Sequence, residues 1–247
     1  MTRYAFAGDR ALAVRILSYL LARGDVPAAL LTSAGPGASH AGELAAMVDA
    51  PHLQGDAFRS PQGLATLRSL DLEMVVCVHF PYLVPAEALA IPSWGWLNLH
   101  PAYLPYNRGW HTATWAILDG TPAGATLHLM SEDVDAGPIV AQAQAEVLGH
   151  DTAHSLYQRL LELEYEVFTG AWPAISSGDR SSTEQDHARA TMHRRADLSE
   201  ALRRIEPGEV TKLRALSTSN PDEAAFFDQD GRRYRVQVRL EPDEQGA

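Results

Sequence analysis

Two mostly apolar runs of strand length, EMVVCVHF (Glu73–Phe80) and GWLNLH (Gly95–His100), decide the fold class of this chain. The runs RYAFAG (Arg3–Gly8) and VPAALLTS (Val26–Ser33) have the same character. Strands that are apolar throughout are typical of a parallel sheet covered on both faces. Segments with helical spacing of leucine separate the runs, so the sequence predicts an α/β protein with a mostly parallel sheet.

The segments between the runs carry helix signals. DRALAVRILSYLLARG (Asp9–Gly24) repeats leucine and valine at helical spacing and ends in a glycine that can cap a helix. SPQGLATLRSL (Ser60–Leu70) places Ser60 as an N-cap and Pro61 at the first helical position. A further long helix is predicted from about Thr152 to Ile175.

The second half of the chain has a different pattern. GATLHLM (Gly124–Met130) and PIVAQAQAEV (Pro138–Val147) predict two strands joined by an acidic loop. The polar residues 176–191 are interpreted as a linker, and AAFFDQDGRRYRVQVRL (224–240) as a hairpin with a type I′ turn at Asp230 and Gly231. We therefore expect a first domain of residues 1–178 and a small C-terminal region of residues 179–247.

Composition excludes several classes of protein. The 247 residues carry a formal net charge of -11, which disfavours a nucleic-acid partner. The single cysteine, Cys77, excludes an internal disulfide and a multi-cysteine metal site, and we expect no metal. Neither a signal peptide nor an apolar run long enough to span a membrane is recognisable, so we expect a cytoplasmic protein without a membrane partner.

Asn98 and His100 are the first candidates for chemistry. Ligands of an open parallel sheet bind beyond the carboxyl ends of its strands, where this pair falls. Residues two apart on a strand point the same way, so the amide and the imidazole can face one reacting centre. An amide N–H suits a developing oxyanion and an imidazole can accept a proton, whereas the alternative is a capping Asn98 and a structural His100.

A carboxylate from the acidic loop is the third candidate. The loop carries Glu132, Asp133 and Asp135 and closes at Gly137. A carboxylate next to His100 would orient the ring and offset its charge, although acidic loops are commonly solvated turns. His128, on the preceding strand, is interpreted as a hydrogen-bonded core residue.

Two long segments, NLHPAYLPYNRGWHTATWAI (Asn98–Ile117) and GTPAGATLHLMSEDVDAGPIVAQ (Gly120–Gln142), resemble the folate-dependent formyltransferase family. The resemblance is close over residues 74–142 and looser in the first strands. It implies a Rossmann-like formyltransferase domain, N10-formyltetrahydrofolate as the formyl donor, and a catalytic triad of Asn98, His100 and Asp135.

The resemblance also implies where the donor binds. Segments matching VHFPYLVP (Val78–Pro85) and SEDVD (Ser131–Asp135) surround the pterin in the family, and peptide groups can match its alternating donors and acceptors. The implied donor-binding residues are Phe80, Tyr82, Leu83, Val84, Ser131, Glu132, Asp133 and Val134.

The acceptor is implied by similarity to one branch of the family. LPYNRGWHTATWAI, ATMHRRADL (Ala190–Leu198) and the tail are similar to the sugar N-formyltransferases, which act on dTDP-linked amino sugars and are often homodimers. Arg108, Arg194, Arg195 and Arg214 are candidates to meet the diphosphate. The implied acceptor-binding residues are Tyr103, Tyr106, Asn107, Arg108, Gly109, Trp110, His193 and Arg194.

Other acceptors stay open at this point. Formylation domains of peptide synthetases share the LHP-LP-N-G pattern, so an amino acid or hydroxylated, ornithine-like amino acid is the main alternative. A tRNA acceptor is disfavoured by the acidic chain and the short C-terminal region, and the purine-pathway enzymes resemble this chain less. A non-catalytic folate-binding protein is a further class.

Overall fold

The computed structural model describes residues 2–149, 151–203, 210–229 and 232–238. Its strands are β1 (Tyr4–Gly8), β2 (Ala29–Thr32), β3 (His52–Gln54), β4 (Met74–Val78), β5 (Gly95–His100), β6 (Arg108–Gly109), β7 (Ala123–Leu129), β8 (Ile139–Ala145), β9 (Met192–His193), β10 (Phe226–Gln229) and β11 (Arg232–Arg235). Its α-helices are α1 (Arg10–Ala22), α2 (Ala41–Met47), α3 (Pro61–Ser69), α4 (Ala86–Leu89), α5 (Thr112–Leu118), α6 (Ala153–Ser176), α7 (Glu200–Arg203) and α8 (Val210–Ala215).

The chain forms two compact units. The first unit comprises Met1–His100, Thr126–Gln142 and Glu164–Gln185. The second comprises Pro101–Ala125, Ala143–Leu163 and Asp186–Ala247. The domain boundary expected between residues 178 and 179 stays a prediction.

A seven-stranded sheet organises the fold. Its strand order is β3-β2-β1-β4-β5-β7-β8, and the four pairs from β3 to β5 are parallel. Strand β7 then pairs antiparallel with β5. The predicted α/β class with a mostly parallel sheet is therefore confirmed, and the carboxyl ends of β1, β4 and β5 lie along one edge.

Local chemistry explains why these elements form where they do. Every residue of β1 and β4 is buried, which fits their apolar sequences. Ser60 caps α3 as predicted, since its side chain accepts a hydrogen bond of 3.0 Å from the backbone N–H of Gly63. The short elements β3 and α4 escaped sequence analysis, because three or four residues are too few to show a period.

The C-terminal hairpin is present. Strands β10 and β11 pair antiparallel with Phe226 opposite Arg235, and the predicted turn residues Asp230 and Gly231 lie outside the described residues. No helix in the described ranges is long and apolar enough to cross a membrane.

Residues 176–191, interpreted as a linker, are mostly exposed and run from the first unit into the second, with a few polar contacts that hold the first part of the segment. Thr183 exchanges two backbone hydrogen bonds of 2.8 Å with Ile139 at the start of β8. Gln185 is 5% exposed and its amide donates to the carbonyls of Asp135 (2.9 Å) and Gly137 (2.6 Å). The segment is held by polar contacts, which leave no apolar pattern in the sequence.

Candidate active site

Strands β5 and β7 place the candidate catalytic side chains. Asn98 and His100 lie at the carboxyl end of β5, and the antiparallel register puts Asn98 opposite His128 and His100 opposite Thr126. His100 is 7% exposed and His128 is fully buried. The ladder fixes these side chains on rigid backbone, so their geometry does not depend on a mobile loop.

Asp135 reaches this strand end from the acidic loop. One carboxylate oxygen, Oδ2, lies 3.6 Å from Nε2 of His100, and the other, Oδ1, accepts a 3.5 Å hydrogen bond from Nδ2 of Asn98. The backbone of Asp135 is left-handed (φ 51°), and the Gln185 amide bound to its carbonyl helps hold that conformation. The structure therefore brings the three residues of the implied triad together within the first unit.

His128 joins the same cluster. Its Nδ1 lies 2.8 Å from the carbonyl oxygen of Leu129, which can only accept, so Nδ1 carries a proton. In the neutral ring Nε2 is then an acceptor, and Nδ2 of Asn98 lies 3.2 Å away as its donor. Nε2 is also 3.5 Å from Oδ1 of Asp135. His128 thus fixes which end of the Asn98 amide faces the carboxylate.

The cluster combines three chemical capacities. The Asn98 amide supplies N–H donors, His100 can gain or lose a proton, and Asp135 supplies negative charge beside the ring. The distances to Asp135 exceed the usual 2.7–3.2 Å of an N–H···O hydrogen bond, so these contacts are long ones. Such a set suits transfer of an acyl group to an amine, where an oxyanion forms and a proton must leave.

The predicted donor loop follows β4, the neighbour of β5. The Phe80 ring packs in the core of the first unit and lies 5.0 Å from the Tyr82 ring. The Tyr82 hydroxyl accepts a hydrogen bond of 3.1 Å from the backbone N–H of Ala34. Arg59 stacks over the Tyr82 ring at 5.5 Å and donates a 2.6 Å hydrogen bond to the carbonyl of Leu83. The loop is thereby anchored on its core side.

The solvent side of this loop presents exposed side chains and backbone N–H groups. Leu83 is 74% exposed, and Val84 is partly buried. Among the described residues, the backbone N–H groups of Phe80, Tyr82, Leu83 and Val84 have no hydrogen-bond acceptor. Pro81, between them, has no N–H group. These peptide groups lie beside the aromatic side chains of Phe80 and Tyr82.

The other predicted donor-binding residues lie in the acidic loop of the same unit. Ser131, Glu132 and Asp133 are exposed and Val134 is partly buried. The Ser131 hydroxyl donates a 2.9 Å hydrogen bond to the carbonyl of Asp133, which tightens the turn. Gly137 closes it, because a Cβ there would lie 2.0 Å from the carbonyl oxygen of Leu129.

The predicted acceptor-binding residues belong to the second unit, where several serve to hold a loop. Asn107 is 1% exposed and its amide donates a 2.9 Å hydrogen bond to the Thr121 hydroxyl. Its backbone N–H donates to the Thr191 hydroxyl at 2.8 Å. Tyr103 and Tyr106 are partly buried.

Strands β6 and β9 pair the two predicted acceptor segments with each other. Gly109 lies opposite His193, and a Cβ on this glycine would come within 2.3 Å of the His193 carbonyl oxygen. The His193 ring stacks on Trp115 with centroids 3.8 Å apart. Its Nε2 lies 2.9 Å from Oδ2 of Asp119, but the angle between the two groups does not allow a hydrogen bond. Nη2 of Arg108 lies 3.1 Å from Nδ1 of His187.

The exposed members of this set are Trp110 and Arg194. Trp110 is 47% exposed, and the Arg195 guanidinium lies 5.5 Å from its ring centroid. His111, beside Trp110, has a lowered pKa because burial disfavours its charged form and Arg195 adds repulsion, while Glu223 acts in the opposite direction.

Asp9 is a second carboxylate at the carboxyl edge of the sheet. Asp135 contacts the side chains of Asn98 and His100, whereas Asp9 is held by backbone N–H groups. Asp9 is 2% exposed, and its Oδ1 accepts hydrogen bonds from the backbone N–H groups of Ser39 (3.0 Å) and His40 (3.5 Å). Burial raises the pKa of Asp9, but the hydrogen bonds outweigh it and hold the pKa below its usual value.

Two residues of the candidate site, Gln185 and His128, were not predicted from the sequence. Gln185 gave no signal, because a single amide in a polar segment has no pattern. His128 gave a partial one, since it alternates with the apolar residues Leu127 and Leu129 on a strand. Its position opposite Asn98 depends on a strand register that the sequence does not reveal.

Comparison with known proteins places this chain in a family. The sequence profile described as Formyl transferase matches residues 34–171. The chain is 30% identical over 223 residues to a dTDP-4-amino-4,6-dideoxyglucose formyltransferase of Mycobacterium bovis, a match covering 83% of this chain and 94% of that relative.

Solved structures share the fold. A sugar N-formyltransferase from Shewanella sp. superimposes with a TM-score of 0.82 at 20% identity, covering 99% of this chain and 100% of that one. An N-formyltransferase from Helicobacter canadensis, in complex with folinic acid and dTDP-3-aminofucose, gives a TM-score of 0.71 at 16% identity and covers 97% of each chain. By its match to the family profile and to the 30% identical relative, the chain belongs to the formyl transferase family.

Proposed function

We propose that this protein moves the formyl group of N10-formyltetrahydrofolate to the amino group of a dTDP-linked amino sugar. The observation that carries the proposal is the cluster of amide, imidazole and carboxylate at the sheet edge, with Asp135 within 3.5–3.6 Å of Asn98 and His100. The sugar-nucleotide acceptor is supported by the 30% identical relative, which is matched over 94% of its length.

Donor binding is assigned to two segments of the first unit. The proposed residues are Phe80, Tyr82, Leu83, Val84, Ser131, Glu132, Asp133 and Val134. When bound, the donor supplies a formyl group on its N10 atom. The aromatic side chains and available peptide groups of the loop after β4 fit its pterin ring.

Each member of the triad has a proposed role. Asn98 donates an N–H to the formyl oxygen as negative charge develops there. His100 accepts the proton that the acceptor amine loses and can return it to the departing nitrogen. Asp135 orients the His100 ring and offsets its positive charge, directly or through one water. The new C–N bond and the broken one involve the same carbon, so these residues handle only charge and protons.

The acceptor is assigned to residues of the second unit. The proposed set is Tyr103, Tyr106, Asn107, Arg108, Gly109, Trp110, His193 and Arg194. Trp110 and Arg194 offer exposed side chains, whereas Asn107 and the β6–β9 pair shape the loop that carries them.

A turnover assay tests the proposal. Purified protein with N10-formyltetrahydrofolate would be offered dTDP-amino sugars, UDP-amino sugars and ornithine derivatives, and formamide products would be identified by mass spectrometry. We expect product from a dTDP-amino sugar. Formylation of an ornithine derivative alone, or of none of the amines, would overturn the proposed acceptor.

A cytoplasmic location and a homodimer complete the proposal. The small C-terminal region resembles that of dimeric sugar N-formyltransferases, which supports the dimer. Light scattering on the purified protein measures its mass directly, and a monomer at micromolar concentration would contradict the assignment.

A further inference from the structure

A buried histidine–glutamate pair lies at the root of the donor loop. Nε2 of His79 is 3.1 and 3.2 Å from the two carboxylate oxygens of Glu164. The His79 side chain is 8% exposed and the Glu164 side chain is fully buried. The chemistry proposed above uses neither residue.

His79 lies where the backbone leaves strand β4 and enters the donor loop. It follows the last residue of β4, and the parallel register pairs Val78 with Leu99, one residue before His100. Its φ of 53° is left-handed, so the chain turns sharply there to begin the donor loop. A residue other than glycine adopts this conformation at a cost of about 1 kcal/mol or more, and surrounding contacts must offset it.

Glu164 supplies such a contact from another element. It lies in the part of helix α6 that belongs to the first unit. Within the described residues, His79 is the sole hydrogen-bonding partner of its carboxylate. A carboxylate without solvent is costly unless paired, so the two side chains hold each other in place. The Nδ1 atom of His79 is buried without a partner in the described part of the chain, so the hydrogen bonds of the ring there are those of Nε2 with Glu164.

We propose that the His79–Glu164 pair is a positioning device for the formyl donor, an inference that rests on the proposed function. The pair fixes the left-handed turn at His79, while Arg59 and Ala34 anchor the far side of the loop through Leu83 and Tyr82. The peptide groups between these anchors are thereby presented to the pterin in a fixed arrangement, so the pair acts on donor affinity and leaves the triad unchanged.

Three variants test this. Glu164→Leu removes the partner of His79, Glu164→Gln keeps an oxygen that accepts from Nε2–H, and His79→Asn keeps a residue that tolerates left-handed backbone. Glu166→Gln, an exposed glutamate on the same helix, is the matched control. Circular dichroism and thermal unfolding would establish that each variant folds.

Binding of 5-formyltetrahydrofolate (folinic acid) by calorimetry and steady-state kinetics are the readouts. In Glu164→Leu and His79→Asn we expect the Kd for folinic acid and the donor KM to rise about tenfold, which corresponds to about 1.4 kcal/mol. We expect a smaller rise in Glu164→Gln and none in Glu166→Gln, with kcat at saturating donor and the acceptor KM unchanged. A purely structural role would not produce this split between donor KM and kcat.

Two results would overturn the inference. One is that the Glu164→Leu and His79→Asn variants both fold and both bind folinic acid with the wild-type Kd. The other is a loss that falls equally on kcat or on the acceptor KM. A wild-type protein that neither binds folinic acid nor formylates any amine would instead overturn the proposed function.

Discussion

Two asparagines of one continuous motif, Asn98 and Asn107, are held in different ways. The Asn98 amide contacts two groups that can titrate, His128 at 3.2 Å and Asp135 at 3.5 Å, at the end of a strand. The Asn107 amide donates to the Thr121 hydroxyl at 2.9 Å and to the carbonyl of Pro122 at 3.4 Å. A conspicuous motif can therefore combine residues arranged for chemistry with residues that hold a loop, and their partners distinguish the two kinds.

The largest effect is expected at the strand end. Asn98→Ala and His100→Ala should each lower kcat by about 10² to 10⁴, because each removes an interaction with charge that develops during transfer. Steady-state kinetics measure the loss, and circular dichroism should show an intact fold. A His100→Ala variant with near-normal kcat would remove the contrast with Asn107.

Asp135→Asn comes next. The amide keeps the shape of the side chain but loses the charge beside His100, and we expect kcat to fall about a hundredfold with little change in either KM. Single-turnover kinetics with saturating donor would isolate this step. If only KM changes, Asp135 binds substrate and has no part in proton handling.

A smaller loss is expected at His128. His128→Leu removes the nitrogen that accepts a hydrogen bond from the Asn98 amide and orients it. We expect kcat to fall about tenfold, because a misoriented amide N–H stabilises the oxyanion less well. His128→Gln retains an acceptor and should lose less. Equal kcat in both variants and wild type would show that the amide orients itself without His128.

Asn107→Ala should leave kcat at saturating substrates close to the wild-type value. The buried partners of its amide lose a hydrogen bond, so we expect the free energy of unfolding to drop by about 1–3 kcal/mol and the acceptor KM to rise. Urea denaturation gives the first quantity. A collapse of kcat without a loss of stability would place Asn107 with Asn98 instead.

The smallest effect is expected at Asp9, the carboxylate at the sheet edge that has no proposed part in formyl transfer. The lowered pKa of Asp9 means that its charged form stabilises the fold at pH values above its unfolded pKa, and that this contribution is lost as pH falls through the folded pKa. Asp9→Asn should reduce the free energy of unfolding by about 1 kcal/mol at pH 7. The difference from wild type should shrink in acid, below about pH 4, and kcat should not change. A constant difference across pH would contradict the assigned cause.

Much of the fold could be read from the sequence because buried parallel strands and capped helices leave local signals. The apolar runs of β1 and β4 and the Ser60 cap of α3 are examples. The burial of Gln185 could not be predicted, since its contacts are hydrogen bonds to carbonyl groups distant in sequence.

The candidate site shows the same division. The spacing of Asn98 and His100 on a strand predicts that they share a face, and the family resemblance implied the place of Asp135. The pairing of His79 with Glu164 and of Asn98 with His128 depends on tertiary register, for which a single chain carries no local pattern.

The antiparallel ladder between β5 and β7 has an evolutionary consequence. Asn98 and His128 are brought face to face by backbone pairing of the strands themselves, so the length and composition of the excursion from residue 101 to residue 122 do not set that alignment. Under the function proposed above, substitutions in the excursion can therefore change which amine is recognised while the alignment of Asn98 with His128 is kept.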